Sequence, residues 1–256
     1  GRFGASGREF CLYSLEKEDI EETLQLMDRC VGENLYQKEE LEQAIGSSER
    51  AFLLLRTAGG ELAGYIYYYL TNEKQIAEDT RLTEQKIQQV CQQDTLAPVG
   101  KIQSVGIKEA FRRQGLAVGL MNYALNQFAE KGIGEVFIIC WNAGGKVPLE
   151  KALQECKFVH LFSAKMIWYN KKELYCPYCK GRCKCDALQM KIKLLPKFIL
   201  SLGVIGVILT ISISLFSYRS SRSYLENLYA QRVMTNSNSI ADMMSVSDVK
   251  KILAEG

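Results

Sequence analysis

Val105-Gly106-Ile107-Lys108-Glu109-Ala110-Phe111-Arg112-Arg113-Gln114-Gly115-Leu116-Ala117-Val118-Gly119-Leu120 carries an apolar strand straight into a glycine-bearing turn that opens a helix. The first backbone N–H groups of a helix lack intrahelical partners and the helix dipole adds partial positive charge, so this turn is an anion cradle. Gly115 and Gly119 let the main chain approach a ligand closely. A P-loop needs Lys and Ser or Thr directly after its last glycine, and the dinucleotide fingerprint needs three glycines at fixed offsets. Neither pattern stands here.

Outward from that turn, residues 102–107 read as a strand, and Ala117, Leu120, Met121, Ala124, Leu125 and Phe128 form one apolar helical stripe. Gly132 and Gly134 end the helix, and 136–140 is a continuous apolar strand, which makes a β-α-β unit with a parallel pair. A further helix is expected over 146–156 and a closing strand over 158–169. Upstream, a strand at 10–13 precedes Ile20, Leu24, Met27 and Val31 at helical spacing, and a polar helix covers 37–45. The runs 51–55 and 63–70 around Gly59-Gly60 read as a hairpin. Between Asn72 and Asp94 lies a polar insertion in which Thr83, Glu84, Ile87 and Val90 suggest a capped helix. The class is α/β with a mixed sheet.

The Arg112-x-x-Gly115-x-Ala117 turn, its flanking strands and helix, Asn142 just after the second strand and the Leu153-x-x-x-x-Phe158 ending follow one another in an order that resembles the GNAT N-acetyltransferase superfamily over about residues 9–170. The resemblance implies a largely antiparallel sheet whose central parallel pair splays apart, flanked by helices, and acetyl-CoA as cosubstrate. Val105 and Ile107 would then offer a main-chain edge to the pantetheine arm. The amides from Arg113 through Gln114, Gly115, Leu116, Ala117, Val118 and Gly119 to Leu120 would hold the pyrophosphate, with Arg112 and Arg113 adding charge-assisted bonds. Asn142 would touch CoA or the acceptor. Gln103 and Ser104 lie where a base or water-orienting group sits in the family; neither is a strong base, so a water relay or a carboxylate such as Glu61 would be needed. The family's tyrosine acid, five residues before the Phe, is Leu153 here, and the glycine before that Phe is Lys157. The implied reaction is direct acetyl transfer to a primary amine of a small molecule or protein. The alternative is a non-catalytic acyl-CoA-binding or sensory module.

Composition narrows the partners. A net charge of +3 without long basic runs gives no nucleic-acid footprint. Nine cysteines, an odd number with no secretory signal ahead of them, read as reduced cytosolic thiols. His160, the only histidine, falls in an expected strand and reads as a packed or edge residue, while Cys140 and Cys156 read as small inert hydrophobes. Cys176, Cys179, Cys183 and Cys185 form C-x2-C-x3-C-x-C, which supplies the four thiolates of a structural zinc clip, with a redox pair, an oligomeric site or free thiols as the competing readings.

Residues 198–218 contain no charge, and at about 1.5 Å per residue they reach about 30 Å, the hydrocarbon thickness of a bilayer. They read as one transmembrane helix contacting membrane lipid. Lys180, Arg182, Lys184, Lys191, Lys193 and Lys197 precede it, which puts the N-terminal side in the cytosol, at a bacterial plasma membrane. The stretch from Met190 to Ser201 resembles the N-terminus of bacterial membrane sensors. The expected organisation is therefore 1–172 transferase domain, 173–189 zinc clip, 190–197 basic juxtamembrane linker, 198–218 membrane span and 219–256 extracytoplasmic helical segment. Gly1 and Gly256 read as cuts in a longer chain.

Overall fold

A computed structural model describes residues 2–5, 8–80, 98–194, 197–243 and 246–255, which fall into two compact units divided between Lys197 and Phe198. The first unit is built on a mixed eight-stranded sheet. In chain order its strands are β1 (Arg2–Ala5), β2 (Arg8–Ser14), β3 (Arg50–Thr57), β4 (Leu62–Thr71), β5 (Val99–Ile107), β6 (Glu135–Asn142), β7 (Val159–Ala164) and β10 (Asp186–Lys193), with a small separate hairpin of β8 (Tyr175–Cys176) and β9 (Gly181–Arg182). The spatial order is β1-β2-β3-β4-β5-β6-β10-β7. Every pairing is antiparallel except β5 with β6.

Helices α1 (Ile20–Val31), α2 (Lys38–Glu42) and α3 (Glu73–Thr80) precede α4 (Leu116–Glu130) and α5 (Glu150–Glu155). The stripe foreseen on α4 is buried, with Leu120, Met121, Ala124 and Phe128 against Ile102, Val136 and Ile138 of the central strands. Burying side chains of this size contributes about 1.5–3 kcal/mol each. On the opposite face, Ile20, Met27 and Leu41 of α1 and α2 close over Phe52, Leu54, Tyr65 and Tyr67.

The central pair splays, as the resemblance implied. Its parallel register runs only from Gly100↔Val136 to Ile102↔Ile138. On the other side of β5, Tyr67 pairs with Ser104 and Tyr68 with Ile102, so Gln103 is the extra residue of a bulge. A bulge bends its strand and sharpens the local twist, and here it does so where β5 parts from β6.

The end of the first unit differs from the sequence expectation. The stretch divided above between a clip and a juxtamembrane linker contains β10, which lies inside the main sheet and pairs with β6 on one side and β7 on the other. Its alternation is inverted: Gln189 and Lys191 are buried, while Met190 and Ile192 pack at the margin of the α4-side core. A buried lysine reads as linker until its partner is seen. Glu135 of β6 is that partner, at 3.1 Å and almost fully buried itself. The main sheet therefore runs past residue 172 to Lys193. The helix expected over 146–156 is reduced to Glu150–Glu155, because Val147 precedes Pro148 and is kept out of helical geometry. The closing strand covers only Val159–Ala164, and the helix expected around Thr83 falls outside the described residues.

The second unit is α6 (Lys197–Met243) followed by α7 (Val246–Glu255). Among the described residues no helix is long and apolar enough to cross a membrane. The expected span at 198–218 begins on positions 198–205, whose side chains lie outside the described residues.

Candidate active site

The splay opens a cleft of about 1170 Å³ bounded by β5, β6, the start of α4 and the end of α1 with the loop that follows it. Its two sides are built differently. On one, Gly115 adopts φ +75° and caps α4. A Cβ there would meet nothing within 4 Å, so the glycine answers the left-handed backbone and not a packing demand. The Gly119 amide already donates to the Gly115 carbonyl at 3.0 Å, which corrects its place in the cradle; the helix offers Leu116, Ala117 and Val118 instead. Arg113, exposed at φ +63°, flanks that opening. Arg112 turns back, its Nε donating to the Ile107 carbonyl at 3.0 Å. Val105 and Ile107 line the cleft, and beyond Ile102 the β5 edge facing β6 is paired with no strand among the described residues.

The other side is made of side chains. The Tyr36 hydroxyl approaches the Gln103 carbonyl at 3.4 Å and receives Gln103 Nε2 at 3.2 Å, while Tyr69 donates to Gln103 Oε1 at 3.2 Å. Burial raises both phenols well above their usual range, so they stay protonated and act as hydrogen-bonding groups. Glu40 of α2 shares this side with Lys171 and Trp168. Burial lifts the Glu40 carboxyl above its ordinary value, against the opposing pull of Lys171, Arg50 and Lys101. Lys101 is itself buried and paired with Asp79.

Of the other residues singled out by sequence, Ser104 is buried with its hydroxyl 2.9 Å from Tyr65. Asn142 is turned out of the cleft lining: its Oδ1 accepts from Gly145 N at 2.8 Å and fastens the loop after β6. Gln114 is half-buried and also outside the lining. Glu61 pairs with Lys108 at 2.6 Å on the surface and does not line the cleft; the carboxylates that do are Glu40, Asp79, Glu150 and Glu155. His160 is exposed beside Ser163, away from the lining. Leu153 is core. Burial pushes the Cys140 thiol up to about 12 and raises Cys30 as well, so neither cysteine of the cleft is an activated nucleophile. Sequence reasoning missed Tyr36, Glu40, Tyr69 and Trp168; α2 reads as an ordinary polar helix, and nothing local marks one of its glutamates.

The four cysteines of the C-x2-C-x3-C-x-C stretch converge, with all sulfurs within 4.8 Å of one another and Cys185 at 3.5 Å from Cys179 and 3.7 Å from Cys176. A tetrahedral zinc tetrathiolate with bonds of about 2.3 Å has sulfur–sulfur edges of about 3.8 Å, so the donor set fits that ion.

The splayed parallel pair, the open main-chain edge of β5 and the turn feeding free helix amides agree with what the resemblance to acyl-CoA-dependent acetyltransferases implied. Residues 17–145 match the acetyltransferase (GNAT) family, and the chain belongs to that family of acyl-CoA-dependent N-acetyltransferases. Its fold is similar to that of Arabidopsis thaliana NAA60 in complex with acetyl-CoA, at 13% identity and a TM-score of 0.55 over 72% of this chain and 98% of that one. Chaetomium thermophilum Naa20, solved with a bisubstrate analogue, is similar at 16% identity and a TM-score of 0.52, over 72% and 86% of the two chains. No curated protein sequence matches.

Proposed function

We propose that the chain moves an acetyl group from acetyl-CoA directly to a primary amine, with Glu40 as the general base. The observation that carries this reading is one cleft with a main-chain cradle on one side and a half-buried carboxylate beside hydrogen-bonding phenols on the other. The amine nitrogen bonds to the thioester carbonyl carbon, the carbon–sulfur bond breaks, and the amine's proton passes to Glu40. A carboxyl raised by burial is a stronger base than an exposed one. Leu153 donates nothing, so the departing thiolate takes its proton from water. The acceptor is a small-molecule or protein amine, its ammonium form suited to the Tyr36, Tyr69 and Trp168 rings. Acetyl-CoA consumption with an amine panel tests the reading. Thiol release that needs an amine and drops sharply in Glu40→Gln supports it; acetyl-CoA binding without thiol release would instead support the acyl-CoA-binding sensory module, which Leu153 at the acid's position favours.

Two further elements belong to this reading. Cys176, Cys179, Cys183 and Cys185 would hold one structural zinc, which leaves no coordination position for water and so takes no part in the transfer. The uncharged run 198–218 would tether the enzyme to the cytosolic face of a membrane as a single span; the exposure of Val207, Ile208, Ile211, Leu215 and Phe216 around α6 supports lipid as their surroundings. Retention in alkali-washed membranes, with a chain ending at Lys197 released, would bear this out; equal solubility of both would end it.

A further inference from the structure

The cysteine hairpin is fastened to the acceptor side of the cleft. Glu33 and Tyr175 exchange main-chain hydrogen bonds of 3.2 and 3.1 Å, joining the loop after α1 to β8 one residue before Cys176. Asn34 Nδ2 donates to the Glu173 carbonyl at 3.4 Å. Gly32, at φ +101°, lies against the hairpin so closely that a Cβ would stand 2.8 Å from the Tyr175 carbonyl oxygen. From this fastened loop the chain proceeds to Tyr36 and its contacts with Gln103.

A second attachment comes through β9. Arg182 Nε donates to the Tyr169 carbonyl at 2.7 Å and its guanidinium stacks over the Tyr169 ring at 3.9 Å. The neighbouring Trp168 meets Trp141 edge-on at 5.5 Å, and Trp141 meets Tyr178 at 5.8 Å. Cys176, Cys183 and Cys185 are buried in the same small cluster as Trp141 and Leu174, with Val31 and Leu35 at its margin. By contrast, the Gly115 turn is held by α4 and by the return of Arg112 to Ile107.

We infer that a metal bound by Cys176, Cys179, Cys183 and Cys185 positions the acceptor half of the cleft, so that metal loading governs amine affinity and leaves acetyl-CoA affinity unchanged. The hairpin pairs over only two residues per strand, too few to hold its own shape. Four free cysteine sulfurs lie within 4.8 Å of one another, so a divalent cation bound among them would tie β8, β9 and the start of β10 together. The Lys184 amide donates to Cys179 Sγ at 3.3 Å, tying that sulfur to the backbone of the turn that carries Cys183 and Cys185. A rigid hairpin then fixes the 32–36 loop and Trp168; a loose one frees both. The effect on amines rests on the acetyltransferase reading, whereas the coupling of metal to loop does not.

The test uses the reduced full chain in detergent micelles, with zinc and cobalt(II) as probes. The expected result is one metal per chain, a thiolate-to-cobalt charge-transfer band, and loss of both in Cys183→Ser. Both tryptophans of the chain belong to the cluster's surroundings, so chelation of the wild-type protein should also change its fluorescence. Stripping should speed hydrogen exchange of the Glu33 and Tyr175 amides by about tenfold or more, at unchanged acetyl-CoA affinity. The amine KM should rise by about fivefold or more. A chain that binds no metal overturns the inference, and so does a metal-binding chain whose Glu33 and Tyr175 amides exchange equally fast with and without it. An unchanged amine KM beside altered exchange overturns the catalytic half alone. Absence of acetyl transfer with the exchange response intact would fault the acetyltransferase reading and still support the metal strut.

Discussion

The two sides of the cleft meet along β5 yet are assembled on different plans. The cofactor side is almost all main chain, drawn from one contiguous run between Ile102 and Val118 and fixed by a bulge and one left-handed glycine. The acceptor side is almost all side chain, gathered from the loop after α1, α2, β4, β5 and the segment around Trp168. A main-chain cradle recognises what every cofactor molecule shares and tolerates change in the residues that build it. A side-chain wall assembled from distant segments can be altered one residue at a time, which is how acceptor choice can vary on a constant fold.

The comparison breaks if a change on one side moves the other. The largest effect is expected for Gly115→Glu, which forces a side chain into a left-handed position, at about 1–2 kcal/mol, and sets a carboxylate against phosphate. Acetyl-CoA affinity measured by calorimetry should fall by about a hundredfold or more; near-normal affinity would sink the cradle. Next is Glu40→Gln, with kcat/KM lower by about a hundredfold or more, the acid limb of its pH profile lost and acetyl-CoA affinity retained. A coenzyme defect in that variant would mean that the sides are not separate.

The same substitution makes a stability prediction. Burial raises the Glu40 pKa in the folded state above its unfolded value, so the neutral form is favoured on folding. That contribution is fully present below the unfolded pKa and is lost as pH rises through the folded pKa. Glu40→Gln should therefore melt higher than wild type above neutral pH and equally in strong acid; the reverse order would contradict the burial argument. Trp168→Ala should raise the amine KM by about tenfold with little change for acetyl-CoA, read from steady-state kinetics at saturating cosubstrate. The smallest effect is expected outside both sides: Lys157 sits at φ +61°, where glycine is unstrained, and Lys157→Gly should add about 1 kcal/mol of stability with kinetics unchanged.

How much of this was legible in the sequence follows the same division. The β5-turn-α4-β6 unit was readable because its signals are local: an apolar run, a glycine, a stripe at helical spacing. Gly119 was overread because helix membership, not residue type, decides which amides are free. Glu40 and Tyr36 were invisible because only the packing of α1 and α2 on the sheet brings them to the cleft, Tyr36 against Gln103. β10 was misread because its buried face carries Gln189 and Lys191, whose compensation by Glu135 is set by the sheet pairing and not by neighbours in sequence. The cysteine spacing disclosed a four-sulfur cluster but not its attachment to Glu33.

The place of β10 also bears on how the chain is made. β6 and β7 do not meet in the finished sheet because β10 lies between them, and β10 leaves the ribosome more than twenty residues after β7 ends. β7 pairs only with β10, so until β10 is made the sheet ends at the edge of β6 and β7 has no strand to join. The cysteine hairpin emerges during this interval, immediately ahead of β10. The last strand of the sheet to be synthesised is thus the one that joins β7 to the rest, so the sheet is completed late during synthesis.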